Sequence, residues 1–203
     1  MKPRLNCVKQ TLLAFPTPIH QAHYDNVEEL NAEVARRILA LREKSPGVQK
    51  SNLGGWHSEA TLLQDLGEPY GSRLGRMFVE SIQALLGNLF EGVEALPTRV
   101  NVDAWAIVNE AGHSNQPHIH AGCAWSGVYY VAIEPGMSGE IFFQDPRTEA
   151  VMCPHPYNLL GSSALVNIAP SPGLLLVFPS FVYHGVHPYR GTKPRISIAF
   201  NLR

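Results

Sequence analysis

Two histidines one residue apart follow a proline in the stretch QPHIHAG, Gln116 to Gly122. On a β-strand, residues i and i+2 point to the same side at roughly 6.6 Å along the backbone, so imidazoles at His118 and His120 would converge on one ion. On a helix they would diverge. The pair alone is a weak signal in a chain with nine histidines, and two ordinary strand histidines would read the same way. A third histidine, His184, ends the apolar run GLLLVFPSFVYH.

Ten residues after His184 comes PRISIAFN, in which Arg195 and Ser197 share one strand face and Ile196, Ile198 and Phe200 the other. A guanidinium fork holds a carboxylate with two parallel hydrogen bonds, and a neighbouring hydroxyl adds a third donor. The pair suits a dicarboxylate cosubstrate. The plainer alternative is a structural arginine paired with an acidic neighbour.

Strands must carry these residues, and the patterning supplies them. In TRVNVDAWAIVNE, alternation places Val100, Val102, Ala104, Ala106 and Val108 opposite Asn101, Asp103, Trp105, Ile107 and Asn109. Further strands are expected at 125–133, 140–143, 164–168, 174–178, 181–186 and 195–201, most of them separated by turn residues. Upstream, the period is helical. Asp25 and Glu28 form the pattern of a capping box, and Val27, Leu30, Val34, Ile38 and Leu41 follow at helical spacing. A second helix is expected over 72–89 and a shorter one after Ser58.

The 203 residues suit one domain: helical support over 1–97 and a jelly-roll core over 98–203, mainly β overall. Hydrophobic residues at 45% and charged residues at 16% are those of a globular chain, and 17 glycines with 16 prolines fit many turns. A net charge of −1 provides no basic field for nucleic acid. Cys7, Cys123 and Cys153 have no CxxC spacing and read as reduced thiols. With neither a signal-peptide core nor an apolar run of membrane length, a cytoplasmic protein without membrane attachment is expected.

The order HxH, 63 intervening residues, His184, ten more residues, then Arg-x-Ser resembles the Fe(II)- and 2-oxoglutarate-dependent oxygenases of the double-stranded β-helix (jelly-roll, cupin-like) fold. NEAGHSNQPHIHAG, SGVYYV, GEIFFQDPR, LLLVFPSFVYHGVHP and PRISIAFN are similar to an uncharacterised bacterial and phage subgroup of that superfamily, over about Thr98 to Arg203. FPTPI and GGWHS extend the likeness more loosely.

The resemblance implies His118, His120 and His184 as iron ligands, and Arg195, Ser197 and Tyr130 as holders of the far carboxylate of 2-oxoglutarate. It further implies molecular oxygen and an unidentified small-molecule or peptide substrate as partners. At His120 the chain departs from the superfamily, which mostly has Asp or Glu there. Either the site works with three histidines or a carboxylate such as Glu140 or Asp145 completes it. Rival readings are a three-histidine cupin-type iron dioxygenase without 2-oxoglutarate, and a non-catalytic metal-binding jelly roll. Of the remaining residues, His57, His113 and His155 read as exposed in loops and His187 as facing away. Arg147 reads as a turn salt bridge, and Cys123 as packing.

Overall fold

The computed structural model describes residues 16–89, 100–147 and 165–203. Cys7, Cys153, His155 and the boundary near residue 97 lie outside them. Eleven strands and three helices follow one another in these segments: β1 (His20–His23), α1 (Glu28–Arg42), β2 (Asn52–Leu53), β3 (Trp56–His57), α2 (Leu62–Leu66) and α3 (Tyr70–Leu89). The rest are β4 (Val102–Asn109), β5 (Ser114–His118), β6 (Trp125–Ala132), β7 (Ile141–Gln144), β8 (Leu165–Ile168), β9 (Leu174–Pro179), β10 (His184–Val186) and β11 (Arg195–Leu202).

Two antiparallel sheets result, in the orders β1-β9-β6-β11-β4-β3 and β2-β5-β10-β7-β8, the architecture of a jelly roll. Short strands β1, β2 and β3, absent from the sequence reading, take edge places in both sheets, so the N-terminal region contributes strands as well as helices. At two to four residues these strands carry too little alternation to be seen in sequence.

Alternation along β11 divides the protein into two cores. Ile196, Ile198, Phe200 and Leu202 are buried against α1 and α3 together with Leu30, Val34, Ile38, Leu74, Phe78 and Ile82. Phe200 stacks on Phe78 with ring centroids 4.1 Å apart. The helices thus support the jelly roll by packing on the outer face of one sheet. Between the sheets, Val128, Tyr130, Ile141, Phe143, Leu174, Leu176, Phe178 and Val182 form a second cluster that floors the cavity described below.

Two local expectations differ. Helix α1 begins without a capping box: Val27 occupies the cap position with no side-chain hydrogen bond, and Asp25 instead faces His23 at 3.5 Å. Glu28 and Glu29 in the first turn still complement the helix dipole. The strand expected over 181–186 begins only at His184, because Val182 N–H closes a turn onto Pro179 C=O. That turn swings the chain from one sheet to the other.

Candidate metal centre and anion pocket

His118 is the last residue of β5 and His184 the first of β10, and the two are directly paired across the five-stranded sheet. His120 lies just past the strand, so strand alternation does not bring its ring to the site as the HxH spacing suggested. Its backbone N–H donates to Ser180 C=O at 3.0 Å, tying it to the turn that precedes His184. The ligand nitrogens of His118, His120 and His184 all lie within 4.8 Å of one another, and the Nε2 atoms of His120 and His184 are 3.2 Å apart.

The outer nitrogens orient the rings. His118 Nδ1–H donates to Gln116 C=O at 2.8 Å and His184 Nδ1–H to Val182 C=O at 2.9 Å, which leaves Nε2 of each as a lone pair aimed at the centre. Burial lowers the pKa of all three: His120 to about 4 and His184 to about 3, each pushed further by its charged-histidine neighbours. At neutral pH the three imidazoles are therefore uncharged, as ligation requires. Three nitrogen donors with this spacing fit a divalent first-row ion such as Fe(II). Glu140 and Asp145 are not part of the cluster: Glu140 accepts from Ser138 Oγ at 2.8 Å, and Asp145 is paired with Arg147 at 2.7 Å.

The other end of the same cavity is built around Arg195, which is 1% exposed. Its Nη1 donates to Ser197 Oγ at 3.1 Å, its guanidinium lies 5.1 Å from the Tyr130 ring, and its Nε has no partner. The Tyr130 hydroxyl, buried beside that guanidinium, likewise has no hydrogen-bond partner of good geometry among the described residues. Tyr129, its neighbour on the opposite face, donates instead to Asn31 Oδ1 at 2.8 Å. The regular β11–β6 register sets Tyr130 opposite Ser197, and the pairing slips by one residue only beyond it, between Ser197 and Ile196. Gly139, at φ 79°, lies where a Cβ would come 3.2 Å from Arg195 Cδ, so its lack of a side chain clears the arginine's path.

Among the described residues no carboxylate pairs with Arg195. The structural alternative of an acidic neighbour is thus not what is found. Burial pushes the guanidinium down from its ordinary value. A buried cation with nothing to balance it is costly, and the unpaired Nε and phenol form a donor set suited to an anion.

Between and above these two ends the cavity measures about 690 Å³. His57, expected in an exposed loop, is instead buried on β3 and lines this cavity, its ring stacked 5.6 Å from Trp105. Trp105 in turn sits 5.5 Å from the His120 ring. His57 Nδ1–H donates to Ser58 C=O at 2.7 Å, and burial lowers its pKa. The GGWHS stretch carried no periodicity from which this could be read; only pairing of β3 with β4 places it here. Other residues behave as expected. His187 faces Asn167 outside the cluster, His113 stays in the β4–β5 turn, and Arg147 pairs with Asp145.

Three histidines and a buried arginine facing one cavity of a two-sheet jelly roll define a metal-dependent enzyme of the double-stranded β-helix class. Residues 103–201 match the family described as "Putative 2OG-Fe(II) oxygenase". The chain is accordingly a 2OG-Fe(II) oxygenase, with Fe(II) and 2-oxoglutarate as its cofactor and cosubstrate. Its fold is similar to that of a Pseudomonas putida prolyl-4-hydroxylase, at 17% identity and a TM-score of 0.62 with 91% of each chain covered. It is also similar to a prolyl hydroxylase from Trichoplax adhaerens in complex with a hypoxia inducible factor peptide fragment, at 14% identity and a TM-score of 0.60, covering 91% of this chain and 82% of that one. The α-ketoglutarate-dependent epimerase SnoN from nogalamycin biosynthesis gives 14% and 0.64, covering 92% and 77%. No curated protein sequence matches the chain at a significant level.

Proposed function

We propose that His118, His120 and His184 hold the Fe(II), that Arg195, Ser197 and Tyr130 hold the far carboxylate of 2-oxoglutarate, and that the cavity above them admits the substrate to be oxidised. The observation that carries this reading is Arg195, a buried guanidinium with no acidic partner among the described residues, at one end of the cavity that the three histidines share. An iron dioxygenase working without 2-oxoglutarate, or a non-catalytic metal-binding jelly roll, has no use for such a charge.

When bound, the iron and 2-oxoglutarate supply the oxidation of a substrate C–H bond by molecular oxygen, coupled to conversion of 2-oxoglutarate to succinate and carbon dioxide. The protein's part is positional. Arg195 presents its fork and Ser197 its hydroxyl to one carboxylate, the Tyr130 phenol adds a donor, and the apolar cluster of Ile141, Val128 and Phe178 keeps that end dry. Trp105 and His57 wall the other side, where the substrate enters. The substrate is a small molecule or a peptide, as the solved proteins of like fold include a prolyl hydroxylase with a bound peptide fragment and an epimerase of nogalamycin biosynthesis. The reaction is assigned to the cytoplasm.

Adding 2-oxoglutarate to the anaerobic Fe(II) protein tests the reading. A visible charge-transfer band is expected, followed on admitting oxygen by succinate. Iron binding with no band and no succinate would instead favour the 2-oxoglutarate-independent dioxygenase.

A further inference from the structure

The outer nitrogen of His120 is the one that meets no backbone carbonyl. Its Nδ1 faces Asn201 Nδ2 at 3.4 Å. An amide N–H donates, so in this arrangement Nδ1 accepts and the single proton of the neutral ring sits on Nε2. That nitrogen lies 3.2 Å from Nε2 of His184, whose own proton is committed to Val182 through Nδ1. The relay is consistent from end to end: Asn201 donates to His120, His120 to His184, and His184 to Val182. It is also the wrong relay for ligation, because Nε2 of His120 must give up its proton to offer a lone pair to a metal.

The surroundings of Asn201 provide the alternative. Asn201 is buried on β11, and its Oδ1 accepts from Ser126 Oγ at 2.8 Å; Ser126 in turn lies 2.8 Å from Ser180 Oγ. A half-turn of the amide would bring Oδ1 to His120 Nδ1 and Nδ2 to Ser126. Both hydroxyls rotate freely, so Ser126 would then accept from Nδ2 and donate to Ser180. Asn201, Ser126 and Ser180 keep hydrogen-bond partners in either arrangement. Ser180 also holds the His120 backbone N–H, so one short network fixes both the ring's position and its tautomer.

We propose that Asn201 is a positioning residue of the metal centre. Its side-chain amide turns over when metal binds, moving the His120 proton from Nε2 to Nδ1 and switching that ring from bonding His184 to ligating. The proton count of the ring is unchanged; one N–H bond breaks and one forms, through water in the cavity. This rests on the reading of His118, His120 and His184 as the metal site, and it assigns to an amide the support that backbone carbonyls give the other two ligands.

The test is two-dimensional ¹H–¹⁵N NMR of the histidine side chains, with and without Zn(II), on the full chain. His120 is expected as the Nε2–H tautomer in metal-free protein and as Nδ1–H with Zn(II) bound, while His118 and His184 stay Nδ1–H throughout. Asn201→Asp can only accept, so it is expected to hold the Nδ1–H tautomer even without metal. Asn201→Leu, which can do neither, is expected to weaken Mn(II) binding roughly 10- to 100-fold, the usual effect of removing such a support. The tautomer measurement on the parent protein decides the matter should Asn201→Leu fail to fold. Finding His120 as Nδ1–H in both states of the parent overturns the inference and leaves the metal site standing. A parent protein whose histidines do not respond to Zn(II) overturns both.

Discussion

His184 and Arg195 sit at opposite ends of one cavity and are expected to fail in different ways. His184→Ala removes a proposed ligand set on the strand itself and should abolish both metal binding and the 2-oxoglutarate charge-transfer band. Arg195→Leu should leave Mn(II) affinity near that of the parent while weakening 2-oxoglutarate by roughly 100-fold, given about 1.5–3 kcal/mol for each charge-assisted hydrogen bond lost. Isothermal titration of metal and then of 2-oxoglutarate separates the two. Tyr130→Phe distinguishes a ligand donor from a structural hydroxyl. Its hydroxyl is buried without a hydrogen-bond partner among the described residues, so removing it should not destabilise the free protein, yet should weaken 2-oxoglutarate by roughly fivefold, on the scale of about 1 kcal/mol for one hydrogen bond. A loss of stability with unchanged 2-oxoglutarate affinity would show a structural role. Acid is expected to act through the histidines. Their pKa values in the folded chain, about 4 for His120 and about 3 for His184, lie below the ordinary 6.5. The unfolded chain therefore binds more protons between these limits, and metal-free protein should lose stability as pH falls below about 6.5, down to about 3. Urea unfolding at pH 7 and pH 4.5 measures the loss, which His184→Phe should reduce.

Strand β11 carries both halves of the protein's logic. One face bears Arg195, Ser197 and Asn201, and the other Ile196, Ile198, Phe200 and Leu202. Substitutions on the two faces should separate accordingly. Phe200→Ala breaks the stack with Phe78 and leaves a cavity beneath α3, a cost of about 3–5 kcal/mol. The ligand-facing side chains remain, so Mn(II) and 2-oxoglutarate affinities of the folded fraction should stay within a few-fold of the parent's. Chemical denaturation and titration of the same sample check both. A hundredfold loss of 2-oxoglutarate affinity would mean that the helices hold the register of β11, rather than merely covering it.

For the molecule as a whole, ligand binding should appear as stability. A ligand present at 100 times its dissociation constant stabilises the native state by about 2.7 kcal/mol, an effect readable as a rise in melting temperature. Mn(II) and 2-oxoglutarate together are expected to raise it more than the sum of each alone, since metal and Arg195 hold the two ends of one molecule. With Arg195→Leu the extra rise should vanish while that of Mn(II) stays.

What the sequence by itself determined was whatever rests on local period or on short fixed spacing. Alternation in 195–200 set Arg195 and Ser197 on the face of β11 opposite Ile196, Ile198 and Phe200, and helical spacing from Val27 to Leu41 located α1 and its buried face. The histidines and the Arg-x-Ser pair were legible because their chemistry is unusual in that order. Only tertiary structure decided the rest, because the contacts concerned join residues far apart in the chain. His120 reaches the site through a hydrogen bond to Ser180 rather than through strand alternation. His57 becomes a wall of the cavity because β3 pairs with β4, and Tyr130 rather than Tyr129 shares the face of Arg195 because the register of β6 against β11 sets it opposite Ser197. Pairing register and the meeting of two sheets are long-range outcomes of burial. A two-residue strand such as β3 has too few positions to announce either.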